Sequence, residues 1–228
     1  PEADKAQWLN FIMKLQQFTG PIMAKGLEDT AFYCYNRLIS LNEVGGNPES
    51  FGVSLEEFHN FNRNKLRIGP FALNTTSTHD TKRSEDLRVR LSVISEFPED
   101  WFGFLQEAST RNESKRIHAN DMIIPDKNDQ YFFYQTMIGL YPFGIVDEVK
   151  FKDRLKWYIE KSVREGKVYT EWVKPDDRYE KAYMGFIDAV LSDKEFLQEI
   201  FVPYQKKIAF HGMLNSLSQV VIKMTTPG

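Results

Sequence analysis

Phe71-Ala72-Leu73-Asn74-Thr75-Thr76-Ser77-Thr78-His79-Asp80-Thr81 is the stretch that decides how this chain is read. Its first six residues follow Gly69-Pro70 and read as one strand. Residues 81–96 then place Leu87, Leu91 and Ile94 at helical spacing before Pro98, which predicts a helix. Thr78-His79-Asp80 falls at the turn between the two. Where such turns gather at one mouth, as in a (β/α)8 barrel, they carry the chemistry. A carboxylate there can stabilise an oxocarbenium-like charge, and a neighbouring imidazole can donate to a sugar hydroxyl. A plainer reading stays open, in which Asp80 or Thr81 only N-caps the following helix.

Upstream, Met23-Ala24-Lys25-Gly26-Leu27-Glu28-Asp29-Thr30, with Tyr33 just beyond, sets two acids and a lysine around a glycine. In one reading Lys25, Glu28 and Asp29 bind sugar hydroxyls and Tyr33 stacks on a ring. In the other, Glu28 and Asp29 occupy a first helical turn, where the dipole favours acids. Residues 5–18 carry Trp8, Phe11, Ile12 and Leu15 at helical spacing, and Thr19-Gly20-Pro21 is expected to stop that helix. Ile22-Met23-Ala24 reads as a brief buried strand and residues 28–40 as a helix. Gly45-Gly46-Asn47-Pro48 signals a loop. Ser54-Leu55-Glu56-Glu57 is a capping box opening a helix over residues 54–65.

Beyond residue 97 the pattern is helical throughout. Segments 101–115, 130–140, 150–164, 179–191, 193–201 and 203–224 are the candidates, and no strand is expected there. Lys82 and Asp86 have i,i+4 spacing and read as a solvated pair beside Arg83. His59, His118 and His211 share no ligand spacing. Asp126-Lys127-Asn128-Asp129 lacks the glycine and distal glutamate of a calcium loop. No metal and no cofactor is therefore expected.

Composition narrows the partners. The 228 residues carry a net charge of −3 with no long basic run, which points away from nucleic acid. No apolar stretch reaches about 18 residues, so no membrane span is expected. Aromatics reach 14%, and most rings are expected in the core. The single Cys34 rules out an internal disulfide and fits a reducing compartment; with no visible leader after Pro1, a cytoplasmic location is expected.

Several blocks together resemble the maltooligosyl trehalose synthases of the α-amylase superfamily. They include Thr19-Gly20-Pro21-Ile22-Met23-Ala24-Lys25-Gly26-Leu27-Glu28-Asp29-Thr30-Ala31-Phe32-Tyr33 and Leu41-Asn42-Glu43-Val44-Gly45-Gly46. Thr76-Ser77-Thr78-His79-Asp80-Thr81-Lys82-Arg83 is similar to that family's version of the fourth conserved α-amylase region. Pro125-Asp126-Lys127-Asn128-Asp129-Gln130-Tyr131 and Leu214-Asn215-Ser216-Leu217 match in kind. The resemblance implies a mainly α piece of a (β/α)8 barrel enzyme with an inserted helical subdomain and one or two short strands. Residues 1–97 would be barrel segment, 98–205 the insert, and 206–228 a barrel helix leading to a last strand that is absent. It implies a maltooligosaccharide substrate whose reducing-end α-1,4 linkage becomes α,α-1,1 by retaining intramolecular transglycosylation. Asp80 would be one of three catalytic acids, with His79, Lys82, Arg83, Lys25, Glu28, Asp29 and Tyr33 near the sugar. The rest of the parent chain would be the partner, and this chain alone would be inactive. The alternatives are a helical binding module without catalysis, and a hydrolase or 4-α-glucanotransferase of the same superfamily.

Overall fold

In a computed structural model of the chain, residues 2–119 and 122–228 are described, without the side chains of Glu2, Ala3 and Ala119. Eight α-helices and one two-stranded ribbon make up the described fold. In chain order they are α1 (Glu2–Pro21), α2 (Leu55–Ile68), α3 (Glu85–Ser92), α4 (Pro98–Asn112), β1 (Ile117–Ala119), β2 (Met122–Ile124), α5 (Lys127–Leu140), α6 (Glu148–Gly166), α7 (Asp177–Ser192) and α8 (Val202–Thr225).

The core is built around α5. Asp126 N-caps it, its Oδ1 accepting the Asp129 N–H at 2.7 Å. Phe132, Phe133, Tyr134, Met137 and Ile138 are all buried, so this helix is apolar on most of its circumference and must be enclosed. Fully burying each such side chain contributes about 1.5–3 kcal/mol. α3 and α6 flank α5. α4 reaches it through Phe104 against Tyr134, and α7 through Phe186 against Phe133, with ring centroids 5.8 and 5.4 Å apart. Phe104 also stacks on Tyr204 of α8 at 4.6 Å. Among the described residues thirteen rings are buried in this way, but twelve others, among them Trp8, Phe11 and Phe18, are exposed, more than composition suggested.

Helices 101–115, 130–140, 150–164, 179–191 and 203–224 lie where the spacing predicted, and the Ser54–Glu57 capping box is complete. Segment 193–201 closes as a π-helical turn over Phe196–Phe201 that runs into α8. Pro98 begins α4 rather than merely ending the previous helix, its missing N–H costing nothing at a first turn.

Four expectations from the sequence are corrected. α1 runs through Gly20 to Pro21, and Ile22–Glu28 continues it as a π-helical turn instead of forming a buried strand. The widening begins where proline cannot supply its N–H. Residues 28–40 form only short 3-10 turns at Ala31–Tyr33 and Ile39–Leu41. Their backbone is satisfied from elsewhere: Gln135 of α5 accepts the Ile39 N–H at 3.0 Å and donates to the Asn36 carbonyl at 2.8 Å, and Asn42 donates to the Phe32 carbonyl at 2.9 Å. Buried side-chain amides here do the work that a helix ladder would have done.

Residues 71–76 form no strand. No neighbouring strand among the described residues pairs with them, and Phe71 and Leu73 are 95% and 97% exposed. The strands fall instead beyond residue 97, where none was expected: β1 and β2 pair antiparallel with Ile117 opposite Ile124.

Candidate functional site

Asp80 stands on an irregular loop that leads into α3. Its N–H donates to Thr78 Oγ1 at 3.2 Å, and Thr81 Oγ1 donates to the Thr78 carbonyl at 3.0 Å, so the turn holds itself. Arg88 of α3 reaches back to the Thr76 carbonyl, and Ser77 pairs with Glu85. α3 begins at Glu85 with Ser84 in the N-cap position. Neither Asp80 nor Thr81 caps it, so the capping alternative is set aside. Asp80 and His79 are both exposed, and His79 has no side-chain hydrogen bond among the described contacts.

Beside this loop lies a cation–acid network. Asp29 accepts from the ammonium groups of both Lys25 and Lys82. Burial would raise the Asp29 carboxyl, but the two lysines outweigh it and hold it below the usual carboxylate range. The Lys25 ammonium is held above its ordinary value, first by its hydrogen bond to Asp29, with the Asp80 charge adding to the effect. Asp80 is therefore electrostatically coupled to this network. Lys82 Nζ lies 6.0 Å from the Tyr33 ring centroid, and burial pushes the Tyr33 phenol up. Glu28 accepts the Gly45 N–H at 2.9 Å, fixing the glycine turn, where Gly45 takes φ 72°.

Three sequence readings change here. Glu28 closes the π-helical turn and Asp29 follows it, so neither occupies a first helical turn. There the dipole disfavours an acid, and the two lysines offset this. Lys82 precedes α3 and pairs with Asp29, so the solvated Lys82–Asp86 pair does not form. Arg83 turns into the core: it is 5% exposed, its Nη1 donates to the Asn42 carbonyl at 3.2 Å, and its guanidinium carbon lies 6.0 Å from the Phe132 ring centroid and 5.8 Å from that of Tyr158.

Lys25, Asp29, Lys82 and Tyr33 thus come together, Glu28 supports the adjoining turn and Asp80 borders the group. His79 is on the same loop without a described partner, and Arg83 faces away. Sequence reasoning missed Glu43. Its carboxylate accepts the main-chain N–H of Lys82 at 2.7 Å and of Arg83 at 3.1 Å, and pairs with Arg88 at 3.2 Å. The only sequence signal was an acid just before Gly45-Gly46. Among the described residues no group of His, Cys, Asp and Glu could hold a metal, and no helix is long and apolar enough to cross a membrane.

No family model matches the chain. A Mycobacterium tuberculosis protein named as a maltooligosyl trehalose synthase is 34% identical over 95% of the chain, which covers 27% of that protein. The solved structure of a Sulfolobus tokodaii protein, given as a maltooligosyl trehalose synthase, superposes with a TM-score of 0.84 at 42% identity, over 95% of this chain and 29% of that one. The Arthrobacter ramosus maltooligosyltrehalose synthase gives 0.79 at 32% identity, over 93% and 26%. The chain spans a little over a quarter of the length of these relatives. The resemblance read from its motifs is borne out along nearly its whole length, and the chain corresponds to a segment of the maltooligosyl trehalose synthases.

Proposed function

We propose that this chain supplies one catalytic acid and part of the sugar-binding wall of an enzyme that turns the reducing-end α-1,4 linkage of a maltooligosaccharide into an α,α-1,1 linkage. The observation that carries this reading is the exposed Asp80 carboxylate beside the Lys25–Asp29–Lys82 network. Retention at the transferred anomeric carbon takes two displacements. A nucleophilic carboxylate takes that carbon while a second carboxylic acid protonates the leaving oxygen. The released glucose then turns, and its own anomeric hydroxyl attacks with the second carboxylate as base. Asp80 is the third acid in this scheme, its charge favouring the oxocarbenium-like transition state. His79 donates to a sugar hydroxyl. Lys25, Glu28, Asp29 and Lys82 grip the displaced glucose by its hydroxyls, and Tyr33 backs Lys82. Arg83, turned inward, acts through the loop that it anchors.

The other two carboxylates lie elsewhere in the parent protein. Residues 1–97 and 206–228 belong to its barrel and 98–205 to an inserted helical subdomain. Two surfaces support this partnership. α1 exposes Trp8, Phe11, Ile12, Leu15 and Phe18, and the end of α8 exposes Leu217, Val220, Val221 and Met224. Apolar faces of this extent want cover, and the remaining chain is the natural occupant.

The test is product analysis. The full-length protein, incubated with maltohexaose, should lose reducing ends without releasing glucose, and this chain alone should turn over nothing. Free glucose would instead indicate a hydrolase, and redistributed chain lengths a 4-α-glucanotransferase. Turnover by this chain alone would overthrow the division of the three acids.

A further inference from the structure

Behind the Asp80 loop, where it meets α5 and α6, lies a pocket of about 190 Å³. Arg83, Ser84, Thr136, Arg154, Trp157 and Tyr158 contribute to its lining. Three of these residues carry a buried polar atom with no hydrogen-bond partner: Arg83 Nη2, Thr136 Oγ1 and Tyr158 OH. Buried polar atoms are nearly always satisfied, so three on residues that line one cavity are unusual. Arg83 has no carboxylate partner among the described ion pairs, although its side chain is almost wholly buried. A guanidinium taken out of water without a counter-charge is costly.

We infer that this pocket is a binding site for a small oxyanion, of the phosphate or carboxylate kind, held by Arg83 with the Thr136 and Tyr158 hydroxyls. The lining contains no acid, and Arg154 adds positive charge, whereas the Lys82 ammonium is already paired with Asp29. That balance suits an anion, whereas a neutral sugar would need acceptors for its own hydroxyls. Guanidinium and hydroxyl donors are the set that recognises such oxygens. The bound ion braces residues 82–84 against α5 and α6, and so steadies the loop that bears Asp80.

The test follows the thermal midpoint of the full-length protein against inorganic phosphate, sodium acetate and sodium chloride at matched ionic strength. A saturable rise with phosphate or acetate, absent with chloride, is expected, and the stronger of the two names the ligand class. Thr136→Val and Tyr158→Phe each remove only an unpartnered hydroxyl, so both should fold, and each should raise the half-saturating concentration by about tenfold. Arg83→Gln should abolish the response. No saturable rise with either anion, an equal rise in all three variants, or a rise with maltotriose in place of the anions would overturn the assignment. So would a crystal grown in phosphate with only ordered waters on the three atoms.

Discussion

The Glu43 carboxylate accepts the main-chain N–H of Lys82 at 2.7 Å, joining two segments 39 residues apart in sequence. The same carboxylate takes the Arg83 N–H at 3.1 Å and the Arg88 guanidinium at 3.2 Å. One side chain thus sets the path of the loop that leaves Asp80. Glu43→Gln keeps the shape but turns one acceptor oxygen into a donor facing an N–H. Hydrogen bonds to a charged group contribute about 1.5–3 kcal/mol each. Amide exchange at Lys82 and Arg83 should therefore accelerate by roughly 10–100-fold, and kcat/KM of the full-length enzyme should fall by a similar factor. Unchanged exchange at both amides would show that the loop holds its course without Glu43.

Asp80 is the opposite case, a group whose loss should cost activity and little else. It is exposed, and it figures in the described contacts only through its backbone N–H and its charge on Lys25. Asp80→Asn in the full-length enzyme should lower kcat by about 10³-fold or more with little change in KM. Its unfolding free energy should stay within about 0.5 kcal/mol of the parent. A variant that loses activity only in proportion to lost stability would remove Asp80 from the chemistry.

The helical half of this chain was legible because its apolar residues repeat at helical spacing over ten or more positions, as in α6 and α7. The Ser54 capping box was equally local, with both of its hydrogen bonds spanning three residues. Reading failed where the backbone finds its partners far away. Nothing near Ile39 announces that Gln135 will accept its N–H, and without that bond residues 28–40 do look helical. The apolar run at 71–76 looked like a strand, but a strand exists only with a neighbour. At the site, Asp80 and the Lys25–Asp29 cluster were found from motif and resemblance. Glu43 escaped notice because an acid that binds main-chain amides across the fold leaves no spacing pattern. The three-residue strands at Ile117–Ala119 and Met122–Ile124 were too short to show alternation.

Gly212 tests how firmly α8 holds α3, the helix that begins just after the Asp80 loop. A Cβ there would come within 2.8 Å of Arg90 Cα and 2.9 Å of Arg90 Cβ. Both belong to the rigid part of α3, so the helices would have to separate. Overpacking of this kind costs about 1–3 kcal/mol. Gly212→Ala should lower the unfolding free energy by that amount in urea denaturation, even though alanine is the better helix former. A stabilised variant would show that the two helices lie farther apart than described.

Asp129 gives the helical part of this chain a pH dependence of its own. Its carboxylate accepts from the Tyr179 hydroxyl, which favours the charged form, but burial dominates and the nearby Asp126 adds to it, raising its pKa from 3.8 to about 6. In the unfolded chain the proton leaves near the ordinary value. Between about pH 4 and pH 6 the folded state therefore binds more protons than the unfolded one, and raising the pH favours unfolding. Above that window the penalty is constant, at most about 3 kcal/mol. Asp193 works in the other direction: hydrogen bonds from Arg111 and Lys115 hold its carboxyl well below the usual range, so its contribution is lost only as the pH falls below about 4. Asp129→Asn removes the half-buried charge and keeps an oxygen for Tyr179. Its unfolding free energy relative to the parent should rise between pH 4 and pH 6 and stay level from 6 to 8, by urea denaturation at each pH. A difference that does not change across that range would mean that Asp129 is ionised in the folded chain throughout, with water solvating this half-buried carboxylate.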